Sequence, residues 1–347
     1  MVKYLIKSMS FYKEVYLYFL EVYMVILVTI PADEAVRARF KDVSEGSEFR
    51  YIAADEVTES DVASSDIIIG NVPPEMIKAS PRLRLLQLNS AGANTYCLPG
   101  ILHESTLLCN STGAYGVAIA EHMLACVLTL IKKINRYECN RKKHLWKDEG
   151  NVLGIYGSTT LVIGAGDIGS EFGSRMAALG SRVIGIRRHK VAPAPFMCES
   201  GTMEDIDRYL PEADFIACCL PATAETNKLF HAERIAAMKS TAIIANVGRG
   251  SLFDQPALAE ALMDHTIGGA CLDVTDPEPL PKDNPLWDCP NLILTPHVSG
   301  AYHLHLTYER IVDIAVSNLK KYMNGEQPGN LVDMTTGYRK YTGQVDG

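Results

Sequence analysis

The sequence predicts an α/β protein built on two doubly wound parallel sheets. Short apolar runs alternate with polar, helix-compatible stretches in two separate series, one from Val25 to Cys109 and one from Thr160 to Leu294. A long apolar helical stretch, Gly116–Tyr137, separates them. The second series opens on a strand followed at once by G-x-G-x-x-G and a helix. A length of 347 residues agrees with about two domains.

Residues 1–23 mix Lys3, Lys7 and Lys13 with tyrosines and aliphatics. Glu21 interrupts the apolar stretch and no small-residue cleavage site follows, so a signal peptide fits poorly. The run after Glu21 is too short to span a bilayer. These residues read as a leader outside the fold, with an extra outer helix or a targeting segment as the other readings. Met24 directly precedes the first expected strand, Val25–Ile30. Arg50–Ala53, Asp66–Gly70, Leu83–Leu88 and Leu107–Cys109 follow. No phosphate-binding glycine pattern occurs in this half, so the nucleotide is expected elsewhere.

Gly116–Tyr137 is apolar nearly all round and is expected as one helix buried between two bodies, with Glu121 and His122 as satisfied core or capping groups. A basic stretch, Asn140–Gly157, contains His144-Leu145-Trp146. Six further strands are expected at Thr160–Ile163, Arg182–Ile186, Asp214–Cys219, Ala242–Asn246, Gly268–Asp273 and Leu292–Leu294, enough for a full doubly wound sheet. A helix from Gly300 to Met323 and a turn-rich tail from Gly325 end the chain. No tandem repeat is present.

A net charge of −8 argues against wrapping nucleic acid, which needs a basic face. Nine cysteines without a C-x-x-C pair build neither a disulfide framework nor a zinc site, and read as small hydrophobes kept reduced in a cytoplasmic protein. No metal site is expected, because the histidines show no ligand spacing.

Within Gly164-Ala165-Gly166-Asp167-Ile168-Gly169, Gly164 permits the tight turn, Gly166 lets the backbone approach a pyrophosphate, and Gly169 lets the helix pack on the strand. The helix N-terminus, with Asp167-Ile168 at the turn, offers amides to phosphate. The next strand ends in Arg187-Arg188-His189-Lys190, with no carboxylate where an NAD-preferring site has one. Two guanidiniums there suit a 2′-phosphate, so NADP is favoured over NAD. A solvated basic turn serving either cofactor is the plain alternative.

Three later strands each deliver a polar group to a carboxyl end, the rim where open α/β sheets bind ligands. They are Asn246-Val247-Gly248-Arg249-Gly250-Ser251, Asp273-Val274-Thr275-Asp276-Pro277-Glu278-Pro279 and Thr295-Pro296-His297. A fixed cation, a carboxylate and an imidazole are the parts needed to hold a small carboxylate substrate and move one proton. Beside a dinucleotide site they point to an oxidoreductase.

G-x-G-x-x-G, N-V-G-R-G, D-V-x-x-x-E-P and T-P-H, in this order, resemble the D-isomer-specific 2-hydroxyacid dehydrogenase family over nearly the whole chain from Met24. The resemblance implies two Rossmann-like domains with a cleft between them. The nucleotide domain, residues 116–299, is inserted into a substrate domain of residues 24–115, to which the chain returns over 300–330. It implies that Arg249 grips the carboxylate and carbonyl oxygen of a 2-oxo acid. His297 donates a proton to that oxygen as hydride arrives, and Glu278 orients and charges the imidazole. Asp273, Val247, Gly248, Ser299 and Gly300 are placed by it around the nicotinamide, and Tyr302 near the pocket's mouth. Cys219-Leu220-Pro221 stands where the family usually shows His-Thr-Pro, a departure that leaves backbone contacts only. Ala91 and Gly92, in Asn89-Ser90-Ala91-Gly92, match the loop whose amides bind the substrate carboxylate, and Asn71 is a further candidate wall.

The segment with His144 and Trp146 resembles one packed at the family's dimer interface, so a homodimer is expected, with core packing of Trp146 as the other reading. The expected activity is reduction of a small 2-oxo acid, glyoxylate/hydroxypyruvate-like or branched, to the D-2-hydroxy acid. Glu278 argues against formate dehydrogenase chemistry, which uses glutamine there. A long-form phosphoglycerate dehydrogenase fits less well, since no regulatory domain follows residue 330. A nucleotide-sensing binding module on the same fold is the rival from another class. Neither membrane nor nucleic acid is an expected partner.

Overall fold

Val25-Ile26-Leu27-Val28 forms the first strand, β1, and every one of its residues is buried, as in strands covered on both faces. β2 (Glu48–Tyr51), β3 (Ile67–Ile69), β4 (Leu85–Gln87) and β5 (Leu107–Cys109) join it in a parallel sheet of order β2-β1-β3-β4-β5. That is the flavodoxin-like doubly wound order, with its switch point between β1 and β3. Side chains alternate across the sheet. Leu27, Ile68 and Leu86 enter one apolar core, while Ile26, Val28, Ile67 and Leu85 enter the other with Phe40 from helix α1 (Glu34–Asp42). The second strand lies two residues earlier than expected, at Glu48–Tyr51. It is an edge strand, its residues are half-buried, and the Arg50–Glu48 ion pair at 2.6 Å keeps polar residues within it.

The structure is a computed structural model that describes residues 23–78 and 80–340, so nearly all of the expected leader lies outside the described residues. The chain divides into two units, one of residues up to Ala114 and from Tyr308 onward, the other Tyr115–Thr307.

The second unit opens on helix α2 (Gly116–Ile131). The single helix expected to Tyr137 is in fact two. Lys133 adopts a left-handed conformation, φ +57°, and α3 (Ile134–Lys142) restarts with no residue buried. No glycine or proline marks the break, so pattern alone ran straight through it. Glu121 is exposed rather than part of a core and meets Arg175 at 3.7 Å, whereas His122 is hydrogen-bonded. Trp146 is fully exposed within this chain, which removes its core-packing reading.

The second sheet has seven parallel strands, one more than expected: β6 (Thr159–Ile163), β7 (Arg182–Arg187), β8 (Glu199–Thr202), β9 (Phe215–Cys218), β10 (Ile243–Asn246), β11 (Gly269–Leu272) and β12 (Leu292–Leu294). β8 escaped notice because Glu-Ser-Gly-Thr carries no apolar run. It is an edge strand, anchored by the Arg182–Glu199 ion pair. The order β12-β11-β10-β9-β6-β7-β8 is the doubly wound nucleotide-binding order extended by one strand. Pairing puts Ile186, Ile163, Cys218, Asn246, Leu272 and Leu294 in one row across six strands. The segments that follow therefore leave the sheet at one level, with neighbouring strands about 4.8 Å apart.

The last long helix, α4 (His305–Met323), begins five residues later than expected. Its Val312, Ala315 and Leu319 complete the first unit's second core, and Asn318 donates to the buried Gln87 at 2.6 Å. Among the described residues no helix is long and apolar enough to cross a membrane.

Candidate active site

Gly164 follows β6 in a left-handed turn, φ +93°, and a Cβ there would lie 2.8 Å from the Cys219 carbonyl. Gly169 sits against the turn itself, since a Cβ would come within 2.3 Å of the Gly164 oxygen and 2.8 Å of Val162 Cγ1. Gly166 differs, because a Cβ there would meet nothing within 4 Å. Two glycines are thus demanded by packing, while the third faces open space at the start of the helix Asp167–Ala178. The N-cap residue, Gly166, has no side chain with which to cap that helix's first turn. An uncapped N-terminus beside a bare backbone suits an anionic pyrophosphate.

Neighbouring segments line the same rim. Gly248 presses on the Cys219-Leu220-Pro221 segment, where a Cβ would come 2.4 Å from the Leu220 oxygen. Val247 is half-buried beside it. Burial pushes the Cys219 thiol up to about 12, so it stays protonated at neutral pH. At the end of β7, Arg187 is half-buried and Arg188 exposed. Among the described residues no ion pair or side-chain hydrogen bond engages either guanidinium. Two unneutralised cations at the end of the second strand of such a sheet fit a 2′-phosphate. The groups present therefore fit NAD(P).

The polar triplet follows β10, β11 and β12. Buried Asn246 staples its own loop: its side chain donates to the Arg249 carbonyl at 3.0 Å and accepts from the Gly248 amide at 3.1 Å. Arg249 is half-buried and its guanidinium donates to Gly248 O at 2.7 Å. The following Gly250 abuts the next loop so closely that a Cβ would overlap the Thr275 carbonyl carbon, 2.0 Å away. Thr275 in turn donates its amide to Glu278 Oε1 at 3.0 Å. Glu278 Oε2 then meets His297 Nδ1 at 2.8 Å. Contact runs from the arginine loop through Thr275 to the glutamate and the histidine.

A carboxylate only accepts, so His297 carries a hydrogen on Nδ1 and leaves Nε2 as the nitrogen for exchange with a ligand. The pair is only half enclosed, with the His297 side chain 50% exposed, so the ring is within reach of a substrate.

Asp273 is 3% exposed and its carboxylate is fully used within the protein. It accepts from Thr295 Oγ1 at 2.6 Å, Val298 N at 3.0 Å, Ser299 N at 3.1 Å and the Ser299 hydroxyl. It thereby holds the segment that carries His297. Gly300 packs against Tyr115 and Ile119. The fastening roles of Asn246, Thr275 and Thr295 escaped the sequence reading. A buried polar residue ending an apolar strand was the available signal for Asn246.

In the first unit, Asn71 and Asn89 clasp each other. Each amide donates to the other's side-chain oxygen, at 2.7 and 3.1 Å, and Asn71 Nδ2 reaches Ser90 Oγ at 3.1 Å. The Ala91 and Gly92 carbonyls are taken by Asn110 and Ser90 at 2.7 and 2.8 Å. Among the described residues no hydrogen bond uses the amides of Ala91 or Gly92. No cluster of three or more metal-binding side chains occurs among the described residues.

Residues 124–299 match the family model described as "D-isomer specific 2-hydroxyacid dehydrogenase, NAD binding domain". A glyoxylate/hydroxypyruvate reductase B of Pectobacterium carotovorum subsp. carotovorum is 32% identical over 285 residues, 78% of this chain and 87% of that one. The crystal structure of a D-isomer specific 2-hydroxyacid dehydrogenase family protein from Aeromonas salmonicida superposes with a TM-score of 0.80 at 26% identity, covering 90% of this chain and 99% of that one. An NADPH-dependent glyoxylate/hydroxypyruvate reductase from Sinorhizobium meliloti, solved with NADP and sulfate, gives 0.76 at 25% identity over 91% of this chain and 100% of the other.

Proposed function

Because the chain belongs to the D-isomer specific 2-hydroxyacid dehydrogenase family, NAD(P)-dependent oxidoreductases acting on 2-oxo acids, we propose that it reduces glyoxylate to glycolate, or hydroxypyruvate to the D-2-hydroxy acid, with NADPH. The observation that carries the reading is the His297–Glu278 pair at 2.8 Å, set at adjoining strand ends beside the Arg249 loop. A module that only sensed nucleotide would have no use for this pair, and turnover distinguishes the two.

When bound, the reduced nicotinamide supplies hydride to carbon 2 of the substrate. The chain's own groups do the rest. Arg249 holds the substrate carboxylate with its planar fork. His297 gives the Nε2 proton to the carbonyl oxygen as negative charge develops there, and takes it back in the reverse direction. Glu278 stabilises the imidazolium through Nδ1. Ala91 and Gly92 amides are the proposed further carboxylate donors, with Asn71 fixing their loop.

Gly166 and the first turn after it hold the pyrophosphate, and Arg187 and Arg188 the 2′-phosphate. We place the nucleotide domain at residues 116–299 and the substrate domain at 24–115 with 300–330. A cytoplasmic homodimer is proposed from the exposed apolar groups of the 134–156 segment, Trp146 and Tyr156 foremost.

The test is a panel of 2-oxo acids with NADPH and NADH. Wild type should turn over glyoxylate or hydroxypyruvate and prefer NADPH, and Arg187→Asp should reverse that preference. His297→Ala should lose about 10²- to 10⁴-fold in kcat yet bind cofactor normally. Equal use of NADH by wild type would refute the cofactor preference. An undiminished His297→Ala would refute the role of the histidine.

A further inference from the structure

Residues 295–299 are fastened chiefly by one residue, Asp273. Asp273 accepts from Thr295, Val298 and Ser299 through its side chain and from the His297 amide through its main-chain oxygen, the last at 2.8 Å. His297 itself is left-handed, φ +52°, a conformation that persists in a non-glycine residue only when its surroundings hold it.

One more group enters this arrangement from α2. His122 Nε2 lies 3.1 Å from Thr295 Oγ1. The threonine has a single hydroxyl proton, and the carboxylate, which can only accept, claims it. His122 must therefore be the donor, with a hydrogen on Nε2. One turn further along α2, Cys126 Sγ lies 3.5 Å from the same nitrogen. Beside them lies a gap of about 10 Å³ whose surface is mainly apolar, with Met123, Ala245, Val247 and Leu272 among its walls. Such a gap offers a replacement water too few polar partners.

We propose that His122 is a positioning residue for the reaction, acting through Thr295 and Asp273 to keep the His297 segment in place. The inference deepens the function proposed above and rests on His297 as its proton donor. His122 does not touch substrate. Its N–H fixes the rotamer of the Thr295 hydroxyl, the hydroxyl fills one lone pair of Asp273, and the carboxylate then holds the Val298 and Ser299 amides that follow the catalytic ring.

The test compares His122→Leu, His122→Gln, Thr295→Val, Thr295→Ser and the double variant H122L/T295V in the full-length protein. The first readout is amide hydrogen exchange of residues 296–301, which needs no turnover. Kinetics with NADPH and glyoxylate, and the cofactor Kd, form the second. His122→Leu and Thr295→Val should each speed exchange of that segment about tenfold or more and lower kcat about tenfold to a hundredfold. The cofactor Kd should stay within about twofold. His122→Gln and Thr295→Ser, which keep an N–H and a hydroxyl, should recover wild-type behaviour. The double variant should be no worse than Thr295→Val, because both act through one connection.

Unchanged exchange in His122→Leu, losses that multiply in the double variant, or a His122→Gln as impaired as His122→Leu would each overturn the proposal. Should His122→Leu fail to fold, His122→Asn, whose shorter side chain cannot bring an N–H to Thr295, takes its place against His122→Gln, with the same expected losses and the same overturning results. Faster exchange in a protein whose His297→Ala variant keeps full turnover would uphold the connection and overturn the catalytic reading instead.

Discussion

A single geometric fact governs the chemistry at the scale of the residue: Nδ1 of His297 is tied to Glu278 at 2.8 Å, and Nε2 is not. The carboxylate accepts the Nδ1 hydrogen and leaves Nε2 as the nitrogen that can exchange a proton with substrate. Glu278→Gln keeps the shape and removes the charge. Its kcat should fall about 10²-fold or more, because the imidazole loses its counter-charge in the proton-transfer step. Steady-state kinetics with NADPH check this, and an undiminished kcat would count against the pairing. His297→Ala combined with Glu278→Gln should be no slower than His297→Ala alone, since the two act as a unit. These two residues were legible in the sequence because each ends a recognisable run. Their partners were less so. Asp273 reads as a ligand contact from its motif, yet its carboxylate is consumed in holding Thr295, Val298 and Ser299.

Among the elements, the turn from β6 into the helix Asp167–Ala178 separates packing glycines from a binding glycine. A methyl added at 169 meets the Gly164 oxygen at 2.3 Å, whereas one added at 166 meets nothing within 4 Å. Gly169→Ala should therefore lower the melting temperature, by an overpacking penalty of about 1–3 kcal/mol, with cofactor affinity lost as a consequence. Gly166→Ala should melt like wild type but bind NADPH more weakly. Thermal melts and cofactor titrations of the two variants separate these outcomes, and an equal loss of stability in both would contradict the distinction. The central strands were readable from their apolar runs. Of the edge strands, the apolar Leu107–Cys109 and Leu292–Leu294 were equally readable, whereas Glu48–Tyr51 was displaced by two residues and Glu199–Thr202 was silent, since both carry polar residues that ion pairs accommodate. The break at Lys133 was equally silent, because a lysine in the left-handed region leaves no compositional mark.

Across the whole molecule, the nine cysteines divide by environment. Cys139 and Cys198 are exposed, while Cys109, Cys126, Cys218, Cys271 and Cys289 are buried. Burial pushes Cys109 and Cys219 up to about 12, raises Cys218 and Cys271, and with them lifts Tyr96 to about 12. At pH 8, alkylation of the native protein should mark Cys139 and Cys198 first, as peptide mass spectrometry would show. These raised values also set the sign of the pH dependence. The folded state retains protons that an unfolded chain releases above about pH 8.5 for thiols and about pH 10 for tyrosine. Stability should thus be level below that range and decline as pH rises toward 12. A melting temperature that held steady from pH 8.5 to 11 would contradict the burial of these groups.

What the sequence determined by itself was local and periodic: the α/β class, the nucleotide turn, and the order in which arginine, glutamate and histidine reach strand ends. Apolar runs and glycine spacings are short-range signals, and these features depend on nothing else. Only the tertiary structure decided that Asn246, Leu272 and Leu294 stand in one row, so that residues 249, 278 and 297 leave adjacent strands at one level. It alone decided that Thr295 and His122, 173 positions apart, share a hydrogen bond. Register and buried polar pairing are fixed by which strands and helices meet, and that is a property of the assembled sheet rather than of any stretch of chain.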